Sequence, residues 1–210
     1  SIRTIIRVRR FCEVAGRTLI HFSFTPVTFM LGVTALSISK IMDNMEIGHN
    51  VMHGQYDWMN DPKIHSRNFD WDTACDNKSW MRTHNYEHHT FTNILGKDRD
   101  YGYAVLRLSD DTPWHPMRSI QILYFGLLSA FFQWGVALHE LEFEKVREGT
   151  FDLEAKKPFI KAAMKKAGRQ VFKDYIFFPA LAGPFFWKVM LGNGMANLAR
   201  NLWASTIIFC

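Results

Sequence analysis

The sequence predicts an all-α protein, an integral membrane helical bundle with a polar, histidine-bearing cap, and three observations carry that expectation. The 210-residue chain is 48% hydrophobic and rich in large apolar side chains, with 18 Phe, 7 Trp and 10 Met. Its uncharged residues come in blocks: Thr18 to Ser39 and Ser119 to Leu138 contain no Asp, Glu, Lys or Arg, and a membrane-spanning helix needs about 20 such residues. Between these blocks, residues 43–117 are acidic and hold seven of the nine histidines. The mean hydropathy of −0.12 averages these unlike segments and by itself suggests an ordinary soluble protein.

Taken in order, residues 1–17 carry Arg3, Arg7, Arg9, Arg10 and Arg17 against Glu13 alone. Thr18 to Ser39 follows, interrupted by Pro26. After the histidine region, Ser119 to Leu138 is the second long apolar block. Over residues 155–175, Ile160, Ala163, Met164, Ala167, Val171 and Tyr175 recur at helical spacing, with Lys157, Lys161, Lys165, Lys166, Arg169 and Lys173 between them. That is a basic amphipathic helix, suited either to an anionic membrane surface or to packing on a neighbour. Tyr175 to Trp187 and the run from Lys188 to Cys210, broken only by Arg200, are expected to form a hairpin turning near Gly183, Pro184 or Gly192. The alternative is that all four apolar segments are core helices of a soluble bundle.

If each long block crosses a bilayer once, the positive-inside rule puts the Arg-rich start and the Lys-rich 139–174 region in the cytoplasm and the histidine region outside. If the blocks enter and return on one side, all three regions share a compartment; a further alternative is that the true spans run into the flanking sequence.

The formal charge of +5 comes without any nucleic-acid-binding motif, so no nucleic acid partner is expected. Cys12, Cys75 and Cys210 are an odd number and form no Cys-x-x-Cys pair, which suggests neither a disulfide framework nor a thiolate iron or zinc site.

The chemistry lies in two histidine clusters. His49 and His53 stand four apart, and His84, His88 and His89 stand at i, i+4 and i+5. On an α-helix residues four apart lie about 40° apart around the axis, so each pair shares a face, while His89 points about 100° from His88 and lets one helix serve two metal centres. Neutral imidazole suits iron, zinc or copper. There is no His-Glu-x-x-His, so a zinc protease is unsupported. Glu46-x-x-His49 occurs once only, whereas a carboxylate di-iron bundle needs two such motifs. His21, His65 and His115 are expected to be structural, and His139 is a supplementary ligand candidate.

His-x-x-x-His at 49–53 and His-x-x-x-His-His at 84–89 resemble the first two histidine boxes of the membrane-bound fatty acid desaturase family, and the surroundings are similar too. These are Asn44-Met45-Glu46-Ile47-Gly48 before the first box, Trp80-Met81-Arg82-Thr83 before the second, and Thr92 to Asp100 after it. The likeness spans roughly residues 40–210 and is closest to bacterial acyl-CoA or acyl-lipid desaturases of actinobacterial type. It implies an oxidoreductase with two non-haem iron ions, held here by His49, His53, His84, His88 and His89, that uses O2 to introduce a double bond into a long-chain acyl-CoA or acyl-lipid. Electrons would come from a ferredoxin or rubredoxin-like or cytochrome b5-type donor and its reductase. The protein would lie in the bacterial cell membrane, among its lipids, with the histidines facing the cytoplasm. Arg82, Lys97 and Arg99 are candidate contacts for an anionic headgroup, and Asn93, Asp98 and Asp100 candidates for orienting the ligand imidazoles. The alternatives are a membrane di-iron lipid hydroxylase, and a non-catalytic metal-binding membrane module or inactive fragment.

The family's third box, a Gln or His followed two residues later by His-His, has no counterpart, since no His follows His139. The expectation is therefore a single membrane desaturase domain over residues 1–210, truncated before that box, with at least three more ligands supplied from downstream.

Overall fold

A computed structural model describes residues 1–142, 144–147 and 149–209, and among these every regular element is helical, as the sequence predicts. Helix α1 (Ile2–Phe22) ends at Ser23. Helix α2 (Pro26–Ile41) then starts with Pro in its first turn and a reciprocal cap in which the Thr25 hydroxyl accepts from Thr28 N and Thr28 Oγ1 accepts from Thr25 N. Both devices favour a helix start, so the uncharged block Thr18 to Ser39 is the corner of a helical hairpin and not one span. The two helices touch backbone to backbone. A Cβ on Gly32 would stand 2.8 Å from Ile20 N, and one on Gly16 would stand 2.6 Å from Leu36 N.

The second uncharged block is also broken. Residues Pro116–Ile120 form a 3-10 turn leading into α4 (Gln121–Ala130), and α5 (Phe132–His139) follows after Phe131. Phe131 leaves helical geometry at φ −107°, ψ 23°, and the axes on its two sides differ by 94°. Among the described residues no single helix is long and apolar enough to cross a membrane; only this bent pair meets the criterion together. The expected straight spans are thus corrected to two bent elements, by a proline cap in one and a non-helical residue in the other.

Helix α6 (Leu153–Phe172) is the basic amphipathic helix, capped by Asp152 accepting from Ala155 N. A π-helical stretch, Lys173–Phe177, and a turn at Gly183–Phe185 lead to α7 (Phe186–Phe209). The hairpin turns at Gly183, whose φ of 53° suits glycine; Gly192 lies inside α7. Ile20, Val33, Leu36, Val189 and Ala196 form the core of α1, α2 and α7. Running beside it is a buried polar seam. Asp174 accepts from Lys40 Nζ at 2.8 Å, Arg17 Nη2 at 3.3 Å and Asn197 Nδ2 at 3.2 Å, so its charge is compensated from three helices.

Sidedness follows from ion pairs. Arg9 on α1 meets Asp43 at 2.7 Å, Arg3 meets Asp61 at 3.4 Å, Lys166 on α6 meets Asp70, and Lys173 meets Asp72. The Arg-rich start, the Lys-rich helix and the acidic histidine region therefore lie against one another. That adjacency is what the enter-and-return alternative expects of these regions.

Candidate metal centre

The histidines sit where the helices loosen. After Ile41, α2 continues as a π-helical stretch, Met42–His49, and a last turn, Asn50–Met52. A second helix, α3 (Asn77–Trp80), begins on the Asp76 side chain and likewise continues as a π-helix, Met81–His88, and a turn His89–Phe91. A π-turn bonds i to i+5 and so adds a residue to each turn. Positions five apart then face together, and His84 and His89 lie 5.0 Å apart between ring centroids. This corrects the α-helical expectation that His89 diverges.

All five rings converge. His49 and His53 are 4.6 Å apart, His53 and His84 5.2 Å, His53 and His89 4.8 Å, and His84 and His88 5.0 Å and stacked. His49 Nε2 and His53 Nε2 approach to 2.9 Å. Two nitrogens bound at about 2.1 Å to one metal at right angles would be separated by roughly 3 Å. One ring nitrogen from each of His49, His53 and His84 lies within 4.8 Å of the others, a group able to hold a metal ion.

The carboxylates behind the rings set the tautomers. His84 Nδ1 lies 2.8 Å from Asp100 Oδ2, and His88 Nδ1 lies 2.9 Å and 3.0 Å from the two Asp98 oxygens. A Nδ1–H donating to carboxylate leaves Nε2 with its lone pair outward, as metal-binding imidazole requires. His84 Nε2 is buried with no hydrogen-bond partner, so the donor set fits a metal on an observation independent of the spacing. Burial, reinforced by the neighbouring imidazoles, lowers His49 and His53 to about 4 and lowers His89. These rings are neutral at pH 7 and can act as ligands.

Asp98 is itself held in place. It accepts from Asn93 N at 2.7 Å and from Asp100 N at 3.0 Å, and Asn93 has φ 63°, a conformation Asn tolerates. Asp100 and Asp98 thus lie against His84 and His88, and Asn93 lies behind them against Asp98. Arg82 and Arg99 do not present free charge: Arg82 binds Glu87 at 3.1 Å and Glu142 at 2.8 Å, and Arg99 reaches Glu142 at 3.4 Å and His139 O at 2.8 Å. Lys97 lies 5.3 Å over the Phe91 ring. His139 packs on Tyr103 and lies 4.0 Å from Asp100, behind the ring cluster.

Several contributors escape sequence reading. Trp80 stacks on His84 at 4.2 Å; its position four residues before His84 is the one local sign of this. Glu142, 2% exposed with φ 55°, gathers Arg82, Arg99, Lys145 and Lys156 and has no local signature. Burial pushes its carboxyl up, but the cations bonded to it pull it well below the carboxylate range. Glu140 shows the reverse: burial raises it to about 7, although the Thr83 hydroxyl donates to it at 2.6 Å.

A cavity of about 470 Å³ opens beside the rings, lined by His49, His84 and His88 and by apolar groups including Trp71, Trp80, Phe132 and Val136. Its size and lining are those of a small-molecule site. Met52, Trp71, Cys75, Trp80 and Val136 form the core that supports it.

The chain is 45% identical, over its whole length, to the NADPH-dependent stearoyl-CoA 9-desaturase of two strains of Mycobacterium tuberculosis, covering 50% of that protein. It is 25% identical over 88% of its length to the sn-1 linoleoyl-lipid 6-desaturase of a Synechocystis species, covering 53% of it. The chain thus spans about half the length of the curated relatives it matches. No family model and no solved structure matches it. The likeness to these fatty acid desaturases runs along the entire chain, and the structure brings its two histidine clusters into one centre.

Proposed function

We propose that the protein containing this chain is an oxygen-dependent fatty acyl desaturase, and that His49, His53, His84, His88 and His89 are ligands of its iron. The observation that carries the reading is the convergence of five imidazoles, two with their tautomers set by Asp98 and Asp100, and three of which, His49, His84 and His88, line an apolar cavity. Two irons bound there would supply O2 activation, with two external electrons and two protons, so that two hydrogens leave adjacent methylenes and O2 becomes two waters.

The chain's own residues provide position and dryness. Trp71, Trp80, Phe132 and Val136 exclude water and give an acyl chain apolar contact beside the histidines. Asp98 and Asp100 keep the rings aimed at the metals. No protein base is needed to remove the hydrogens. Five imidazoles are few for two irons, so residues outside this chain complete the set, and residues 1–210 form part of one membrane desaturase domain.

The carrier is coenzyme A, by analogy with the mycobacterial relative's name, and the electrons derive from a reduced nicotinamide nucleotide through a ferredoxin or rubredoxin-like or cytochrome b5-type donor and its reductase. The protein sits at a bacterial membrane through the bent α4–α5 pair, whose Ile122, Leu123, Leu127 and Phe131 are exposed. The ion-paired basic and histidine regions face the cytoplasm.

The test is turnover by the full-length protein in membranes with iron, reductant, O2 and stearoyl-CoA. About two irons per chain and an alkene product are expected. A product that is solely an alcohol, or a centre that holds only zinc, would overturn the reading.

A further inference from the structure

A second cleft, of about 560 Å³, lies between α1, the segment 62–73 and α6. Six cations and four carboxylates line it. Arg9 is paired with Glu13 and Asp43, Arg10 with Glu13, Lys166 with Asp70 and Lys173 with Asp72. Lys63 and Arg169, both exposed, have no ion pair among the described residues, so the cleft carries a surplus of positive charge suited to phosphate.

Its floor is unusual. Gln170 is 3% exposed, yet neither its amide oxygen nor its amide nitrogen has a hydrogen-bond partner. A buried amide left in this way pays its desolvation without return, unless a ligand supplies both an acceptor and a donor. Arg9 Nε and Thr73 Oγ1, also on this wall, are buried and unbonded as well. Phe69 and Trp71 add aromatic surface. A side-chain amide pairs through both its atoms with the N6 and N7 edge of adenine, aromatic rings stack on bases, and spare cations take phosphates.

The geometry points to an adenine nucleotide site in this cleft, with the base at Gln170 and the diphosphate at Lys63 and Arg169. The site lies apart from the histidines and does not depend on their holding iron, but Trp71 and Thr73 line both cavities. A ligand anchored here is therefore one wall away from the metal-side cavity. Coenzyme A and a nicotinamide dinucleotide both carry the required adenosine diphosphate.

The test is calorimetric titration of the full chain in detergent, without metal, using ADP, inosine diphosphate and inorganic pyrophosphate. ADP is expected to bind most tightly, because inosine replaces the amino donor that Gln170 would meet. Gln170→Leu should weaken ADP by about tenfold or more and abolish its advantage over inosine diphosphate. Arg169→Glu, at an exposed position that should leave folding intact, should weaken all three ligands together. ADP binding no tighter than pyrophosphate, or unchanged by Arg169→Glu, would overturn the assignment even if the Gln170 variant failed to fold. Displacement of ADP by coenzyme A or by NADPH supports it and identifies the source. A cobalt titration of the same sample reports on the histidine centre separately, so failure of one reading is distinguishable from failure of the other.

Discussion

Asp100 Oδ2 lies 2.8 Å from His84 Nδ1, and the opposite nitrogen of that ring is buried without a partner. The carboxylate therefore decides which nitrogen donates its proton and which keeps its lone pair. Asp98 does the same for His88. Replacing Asp100 with Asn keeps the shape but removes the charge that holds the ring. Asp100→Asn is expected to lower metal affinity about 10- to 100-fold with helical content unchanged, measured by cobalt titration and circular dichroism; unchanged affinity would refute this role.

His53 faces three other rings, His49, His84 and His89, at 4.6–5.2 Å. On the proposed function, His53→Ala and His88→Ala in the full-length protein are each expected to abolish desaturation and reduce bound iron while the protein still folds. Wild-type turnover in either variant would refute the ligand assignment.

Glu142 ties the segment behind the histidines to α6. Its carboxylate takes Arg82, Arg99, Lys145 and Lys156 together, so Glu142→Ala would remove the anion these four cations share, leaving Glu87 beside Arg82. Removing one partner of a buried charge cluster costs about 3–5 kcal/mol. The expected result is a lower unfolding temperature and earlier hydrogen exchange in residues 81–100, measured by mass spectrometry. Loss of protection elsewhere but not there would count against this link.

The α1–α2 corner depends on bare backbone contact. Gly32→Leu would place a Cβ 2.8 Å from Ile20 N, where no side-chain rotation relieves the clash. The variant is expected to separate the two helices and lower stability by more than the ~1–3 kcal/mol typical of overpacking, measured by thermal unfolding in detergent. By contrast Gly194→Ala, with open space around its Cβ, is expected to be neutral or slightly stabilising.

Some of this is written locally. The 3.6-residue recurrence from Ile160 to Val171 marks α6, Gly183 and Pro184 mark the hairpin turn, and the spacing of His49 with His53 and of His84 with His88 and His89 marks the ligand candidates. A run of uncharged residues is less informative, because it records hydropathy but not axis direction. Thr18 to Ser39 and Ser119 to Leu138 have the composition of spans, yet Thr25 and Pro26 start a new helix in one and Phe131 bends the other.

By itself the sequence determined the helical class, the histidine spacing and the likeness to desaturases, since each depends on residues near one another in the chain or on side-chain chemistry alone. Tertiary structure decided the rest. The π-turns that bring His89 in beside His84 are a choice of hydrogen-bond register, which hydrophobic periodicity does not encode. The pairings of Arg9 with Asp43 and of Lys173 with Asp72, which put the basic and histidine regions together, join residues 34 or more positions apart. Glu142 reaches Arg82 across 60 positions. Charge alone makes many partners possible for each of these groups, and only packing selects the one it meets.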